Sequence, residues 1–264
     1  MLRNEEIKTL VEALPYLRDF KGKTVVVKYG GNAMLNDDIK TKVLQDIVFL
    51  QCAGLRPVVV HGGGPEITAM LGKAGKKTQF VSGLRVTDAE SVGIAEMALV
   101  GKINTDLVAR LNVLGGRAVG LNGKDAGLIR AKKHLADVYE NGEVNLVDIG
   151  YVGNVEKINT DSVAGEIAGA LKAEKLLVLT DVKGIYADYR DEASFISTLS
   201  FEKAQELIIR GNIDGGMIPK VKACITALSG GAKKTHIIDG RAEHTILMEI
   251  FSDEGVGTEV VKEL

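Results

Sequence analysis

Thr24-Val25-Val26-Val27-Lys28-Tyr29-Gly30-Gly31 and Val58-Val59-Val60-His61-Gly62-Gly63-Gly64-Pro65 are the stretches whose reading decides the fold. In each, a short valine-rich run free of charge ends in a basic residue and a glycine cluster. Uninterrupted β-branched runs are expected of strands buried on both faces of a parallel sheet. Glycines directly after such strands expose backbone N–H groups and admit an anion to the main chain. Pro65 suits the first turn of a helix, which places the second cluster at a positive helix end. The pair reads as a nucleotide or phosphate site.

The flanking sequence supplies the helices such a sheet needs. Asn4, Glu5 and Glu6 open a helix with Ile7, Leu10, Val11 and Leu14 at helical spacing, which Pro15 limits or bends. Ile39, Val43, Ile47 and Leu50 predict a helix over Asp38–Ala53, stopped by Gly54. A long helical stretch opens at Thr87-Asp88 and runs toward Gly115-Gly116, with a strand expected over Arg117–Leu121. Alternation with turn residues predicts a hairpin within Asp137–Val152. Helices are expected over Ser162–Leu171, Phe201–Ile209, after Gly215-Gly216 and over His244–Phe251. Strands are expected at Lys175–Leu179, Thr235–Ile238 and near Thr258–Val261. This alternation argues for an α/β fold with a mostly parallel sheet covered on both faces and ligands beyond the carboxyl ends of its strands. A lobe boundary is expected near Leu171–Lys175, giving lobes 1–172 and 173–264.

Bulk properties narrow the function. A chain of 264 residues with 45% hydrophobic content buries a sizeable core. A net charge of −2 gives no footprint for nucleic acid or an anionic membrane, so small ligands are expected. Cys52 and Cys224 form no CxxC or Cys/His cluster and read as core thiols, with no disulfide framework or zinc site. The acidic N-terminus lacks the form of a signal peptide and no long apolar segment occurs, so a cytoplasmic protein is expected.

Gly22-Lys23-Thr24 copies only the tail of a Walker loop, before a strand instead of after one, and reads as a turn; no GxGxxG follows a strand. Lysine rarely enters a buried strand end without an anion partner, which makes Lys28 a candidate phosphate contact. Lys220 lies one helical turn past Gly215-Gly216. Thr180, Asp181 and Gly184 end another apolar strand on the same sheet edge, and Arg85 is placed to clamp a carboxylate bidentately. His61 reads as a structural hydrogen-bonder at a strand end.

In this order, VVKYGGNAM, VVHGGGPEI, SGLRVTD, ALVGKIN, GYVG, INTD, LTDVKGIY and GGMIPKV resemble the acetylglutamate kinase branch of the amino-acid kinase family over nearly the whole chain. The resemblance implies a three-layer αβα sandwich with a mostly parallel, carbamate-kinase-like sheet. It implies ATP- and Mg²⁺-dependent phosphorylation of the side-chain carboxylate of N-acetyl-L-glutamate, the second step of arginine biosynthesis. By the same analogy Lys28 and Lys220 stabilise the transferring phosphoryl group and Asp161 orients them. Gly30, Gly31 and Gly63 hold phosphate oxygens, with Thr180, Asp181, Gly184 and Met217 beside the nucleotide. Gly63, Gly64, Arg85 and Asn159 hold acetylglutamate. The arginine-inhibited members are hexamers, trimers of dimers, and the likeness to them assigns Tyr16, His244, Glu249 and Gly257 to an arginine site.

One departure stands out. Only five residues separate Gly153 from Asn159, where the family's helix, strand and turn would take about thirty on ordinary element lengths. A missing stretch is expected there, and a continuous peptide would refute it. A genuine deletion would favour the alternative of a nucleotide- or arginine-binding protein without turnover. Another kinase of the same fold is the other alternative.

Overall fold

A computed structural model of the chain describes residues 3–34, 36–81, 84–130, 132–140, 143–154, 160–213, 215–252 and 255–263. Pro15 divides the N-terminal helix into α1 (Asn4–Glu12) and α2 (Leu14–Phe20), since proline is accepted in a first turn and not in a helix interior. Strand β1 (Thr24–Tyr29) leads into α3 (Asp37–Cys52), where Asn36 Oδ1 caps the Asp38 and Ile39 amides at 2.9 and 3.1 Å. β2 (Arg56–His61), α4 (Gly64–Lys73), and the short β3 (Phe80–Val81) and β4 (Leu84–Arg85) follow. The long helical stretch is α5 (Ala89–Glu96), a π-helical segment over Met97–Asn104, and α6 (Thr105–Val113). The expected hairpin is β5 (Lys132–Glu140) with β6 (Glu143–Asn154), followed by α7 (Thr160–Ala170) and β7 (Lys175–Thr180). The remainder comprises β8 (Ile185–Tyr186), β9 (Phe195–Ile196), β10 (Thr198–Ser200), α8 (Phe201–Ile209), α9 (Met217–Gly230), β11 (Lys234–Asp239), α10 (Thr245–Phe251) and β12 (Thr258–Val261).

The central sheet runs β10-β12-β11-β7-β1-β2. β2, β1, β7 and β11 are mutually parallel, and β12 joins β11 antiparallel. β2 and β7 flank β1 on opposite sides, so strand order reverses at β1 and the ends of β1, β2 and β7 border a crevice. Alternation along β1 splits the core. Val26 packs with Ala164, Ala168, Val221 and Cys224 from α7 and α9, whereas Val25, Val27 and Tyr29 pack with Val43, Ile47, Leu107 and Ile246 from α3, α6 and α10. The three-layer αβα architecture is as expected.

Two expectations are corrected. Arg117–Leu121 forms no regular element and joins no strand ladder among the described residues. Side chains hold it instead: Gln51 accepts from the Arg117 amide at 2.7 Å, Asn112 from the Ala118 amide at 2.8 Å, and Asn104 donates to the Leu121 carbonyl at 3.0 Å. Val119 and Leu121 remain 84% and 63% exposed. Cys52 is exposed on α3, so only Cys224 is a core thiol. The short connection through Lys157 and Asn159 lies outside the described residues.

Candidate active site

Lys28 is the fifth residue of β1, and its side chain leaves on the α7/α9 face. There Nζ meets Asp161 Oδ1 at 2.7 Å, with both side chains nearly buried. Asp161 belongs in the first turn of α7, where the helix dipole favours an acid. The contact is an ion pair without hydrogen-bond geometry, so Oδ1 keeps unused acceptor capacity. Lys220, in the first turn of α9, donates from Nζ to the Gly216 carbonyl at 2.8 Å. Burial pushes the Lys220 ammonium below the usual lysine range; Asp161 and Asp181 oppose that shift and Lys28 adds to it. Two lysines and a buried carboxylate from β1, α7 and α9 thus act on one another at the carboxyl end of the sheet.

The glycine loops border the same point. A Cβ on Gly30 would lie 3.4 Å from the Gly62 amide nitrogen and 3.5 Å from Lys28 Nζ, so both loops and the ammonium converge. Gly31 has φ +68°, a left-handed conformation that glycine adopts without strain. Gly63 has a different reason to be glycine: a Cβ there would overlap Ile103 and approach Leu99 to 2.8 Å. Those two residues lie on the π-helical segment, within the stretch ALVGKIN, and their contact with Gly63 some forty positions away leaves no local pattern. No side chain caps α4, so its first amides stay available to an anion beyond Gly63 and Gly64. His61 Nδ1 lies 3.2 Å from the Gly62 carbonyl, and burial lowers its pKa against that hydrogen bond. It serves the turn.

Arg85 is held over this helix start. Its guanidinium donates to the Gly64 carbonyl at 3.1 Å, Thr68 Oγ1 at 2.9 Å and Thr78 Oγ1 at 3.2 Å, and stands over the Phe80 ring at 4.8 Å. Thr68, Thr78 and Phe80 are positioning residues that the sequence did not mark. On the other flank, Thr180 ends β7 and Asp181 follows it exposed, with Thr180 Oγ1 and Asp181 Oδ1 3.4 Å apart. Gly184 lies against Thr258 and Phe195, and Met217 opens α9 packed on the core. Asn159 falls outside the described residues. Among the described residues, no three His, Cys, Asp or Glu side chains cluster as a metal cage.

The remaining candidates lie around α10. Tyr16 meets Phe251 edge-on, with centroids 6.4 Å apart. His244 precedes α10 and pairs with buried Asp46 at 2.6 Å. Glu249 is 2% exposed, and its carboxylate accepts from Lys175 at 2.9 Å and the Val256 amide at 3.1 Å, with His236 Nδ1 also at 2.9 Å. It therefore braces the turn that carries Gly257, which itself lies against the backbone of Ile237.

Residues 23–239 match the model of the amino acid kinase family. The chain is 53% identical to the acetylglutamate kinase of Moorella thermoacetica, with 97% of each chain covered. It is 50% identical to that of Caldanaerobacter subterraneus subsp. tengcongensis, over 96% of this chain and 92% of the relative. These alignments run over 288 and 276 positions, more than the chain's own 264 residues, so the relatives carry residues that this chain lacks. Among solved structures, the N-acetylglutamate synthase of Neisseria gonorrhoeae complexed with coenzyme A and N-acetyl-glutamate superposes with TM-score 0.77 at 25% identity; the match covers 98% of this chain and 64% of that one. The carbamate kinase of Giardia lamblia bound to AMP-PNP shares the fold, with TM-score 0.56 and 19% identity over 92% of this chain and 99% of that one.

Proposed function

The chain belongs to the amino acid kinase family, and we propose that it transfers the γ-phosphoryl group of ATP to the side-chain carboxylate of N-acetyl-L-glutamate, as a cytoplasmic step of arginine synthesis. The observation that carries this reading is its 53% identity to an acetylglutamate kinase over 97% of each chain, together with the Lys28–Asp161 pair and Lys220 at the end of the sheet. A carboxylate is ionised at neutral pH, so an oxygen of the acceptor attacks phosphorus without a general base. The bond from phosphorus to the bridging oxygen breaks, and ADP leaves with its electrons. The difficulty is bringing one anion onto another, and cations with oriented amides reduce it.

Lys28 and Lys220 stabilise charge on the moving phosphoryl group, and Asp161 positions both. Gly30, Gly31 and Gly63 offer amides to phosphate oxygens. Gly63, Gly64, Arg85 and Asn159 hold acetylglutamate, with Arg85 directed by its contacts at Gly64. The acceptor side falls in lobe 1–172, and Thr180, Asp181, Gly184 and Met217 of lobe 173–264 border the nucleotide. Mg²⁺ would neutralise charge on the triphosphate and would be held mainly by its phosphates, with Asp181, exposed after β7, a carboxylate that would face it. Tyr16, His244, Glu249 and Gly257 belong to an arginine-responsive region of a hexamer, a trimer of dimers. Removing residues 1–20 abolishes both arginine inhibition and hexamer mass on this reading; retention of both contradicts it.

Trapping the acyl phosphate as a hydroxamate tests the reaction. Product from N-acetyl-L-glutamate but not from glutamate, aspartate or carbamate is expected. Product from one of the others assigns a different kinase of the same fold, and ATP binding without product assigns a binder.

A further inference from the structure

Helices α7 and α9 meet backbone to backbone. A Cβ on Gly165 would lie 2.5 Å from the Ala223 carbonyl oxygen, and one on Gly169 would lie 2.9 Å from the Gly230 Cα. The contacts advance together along both helices, Gly165 against Ala223 and Gly169 against Ala227 and Gly230, so the two run in the same direction. One turn earlier on each stand Asp161 and Lys220.

This contact joins two parts of the helical layer. α7 packs over β1 and β2, α9 packs over β11 and β12, and both reach β7. Lys28 of β1 lies on the α7 side, where Asp161 meets it directly. Lys220 lies across the contact, and its interaction with Asp161 depends on how closely the helices approach.

Glycine inside a helix is less stable than alanine, so its presence there calls for a packing or functional reason. Ala164, Ala168 and Ala227 are buried in the same cluster, and alanine at 165 would still cover that core at a wider helix spacing. What Gly165 adds is proximity. With a Cβ there, the helices would have to separate by about 0.9 Å to regain the 3.4 Å of ordinary contact. Asp161 Oδ1, buried and without a hydrogen-bond partner, stands at the head of this contact, where such a shift would be felt.

We propose that Gly165 is a positioning residue: by admitting the Ala223 carbonyl against α7, it holds the Asp161 carboxylate within reach of Lys220 as well as Lys28. The inference rests on the kinase reading only for its effect on turnover, and its first test reads none.

Nitrogen-15 NMR titration of the Lys220 ammonium in the whole protein, with Asp161→Asn made in wild type and in Gly165→Ala, measures how strongly the two groups interact. Asp161→Asn is expected to lower the Lys220 pKa in wild type, and to lower it by about a third less in Gly165→Ala, where the charges already stand further apart. An equal drop in both overturns the proposal. Turnover gives the second readout: Gly165→Ala is expected to lower kcat by about tenfold or more with the KM for ATP little changed, which lost stability alone would not produce. Unchanged kcat also overturns it, whereas a wild type without product removes the kinase reading and leaves the titration to decide. Gly93→Ala, at a helical glycine with open space around it, keeps the wild-type values of both. If Gly165→Ala does not fold, Gly169→Ala makes the same test with a smaller intrusion.

Discussion

At Asp161 a single buried carboxylate serves two lysines. Its removal leaves Lys28 without its 2.7 Å partner and Lys220 without an opposing charge. Asp161→Asn keeps the volume, so kcat is expected to fall by about 10²–10³-fold with KM changing far less, as steady-state kinetics would show. The same change carries a pH signature. Burial already lowers the Lys220 pKa and Asp161 opposes that, so loss of the carboxylate lowers it further. In the proposed mechanism the protonated ammonium is the active form, so the basic limb of the rate profile is expected to move to lower pH. Gly63→Ala tests a different feature. Its Cβ would overlap Ile103, so about 1–3 kcal/mol of stability is lost, read as a lower urea midpoint. The placement of the glycine loops and Lys28 at strand ends was legible in the sequence because it is local to the strands. The contacts of Gly63 with Leu99 and Ile103, and the seat of Arg85 on Phe80, were not, since they form only when distant segments pack.

Whole elements depend on caps and buried charge. Asn36 holds two first-turn amides of α3, and Asn36→Ala is expected to remove about 1 kcal/mol, seen as a lower thermal midpoint. Glu249 ties α10 to β7, β11 and the turn at Val256. Burial pushes its carboxyl upward, yet His236 and Lys175 together outweigh that and hold it at about 2. Because the folded pKa is depressed, this contribution is fully present above the unfolded value near 4.5 and is lost as pH falls from there toward about 2. Glu249→Gln therefore flattens the acid limb of stability and, by leaving Lys175 buried without its anion, costs about 3–5 kcal/mol in denaturant titration. Element type was readable from periodicity for α3, α8, β7 and β12. The expected strand at Arg117–Leu121 shows the limit: a short apolar stretch makes a strand only where an edge stands beside it to pair, and sequence does not display that edge.

Over the whole molecule, the reversal of strand order at β1 gathers into one crevice residues that lie as far apart in sequence as Lys28 and Lys220. The alternation of strands and helices foretold the mostly parallel sheet. It did not foretell that β2 would close the sheet. That order depends on which segments are present to pair, which no single strand's sequence displays. The central claim is that the two lysines make acyl phosphate from acetylglutamate. Hydroxamate formation by wild type and Lys220→Met, each with ATP binding measured beside it, tests this most directly. The account predicts product from N-acetyl-L-glutamate with the wild type, and retained ATP binding with product reduced by about 10²-fold or more in the variant. Equal product from both proteins, or none from the wild type with ATP bound, would contradict it.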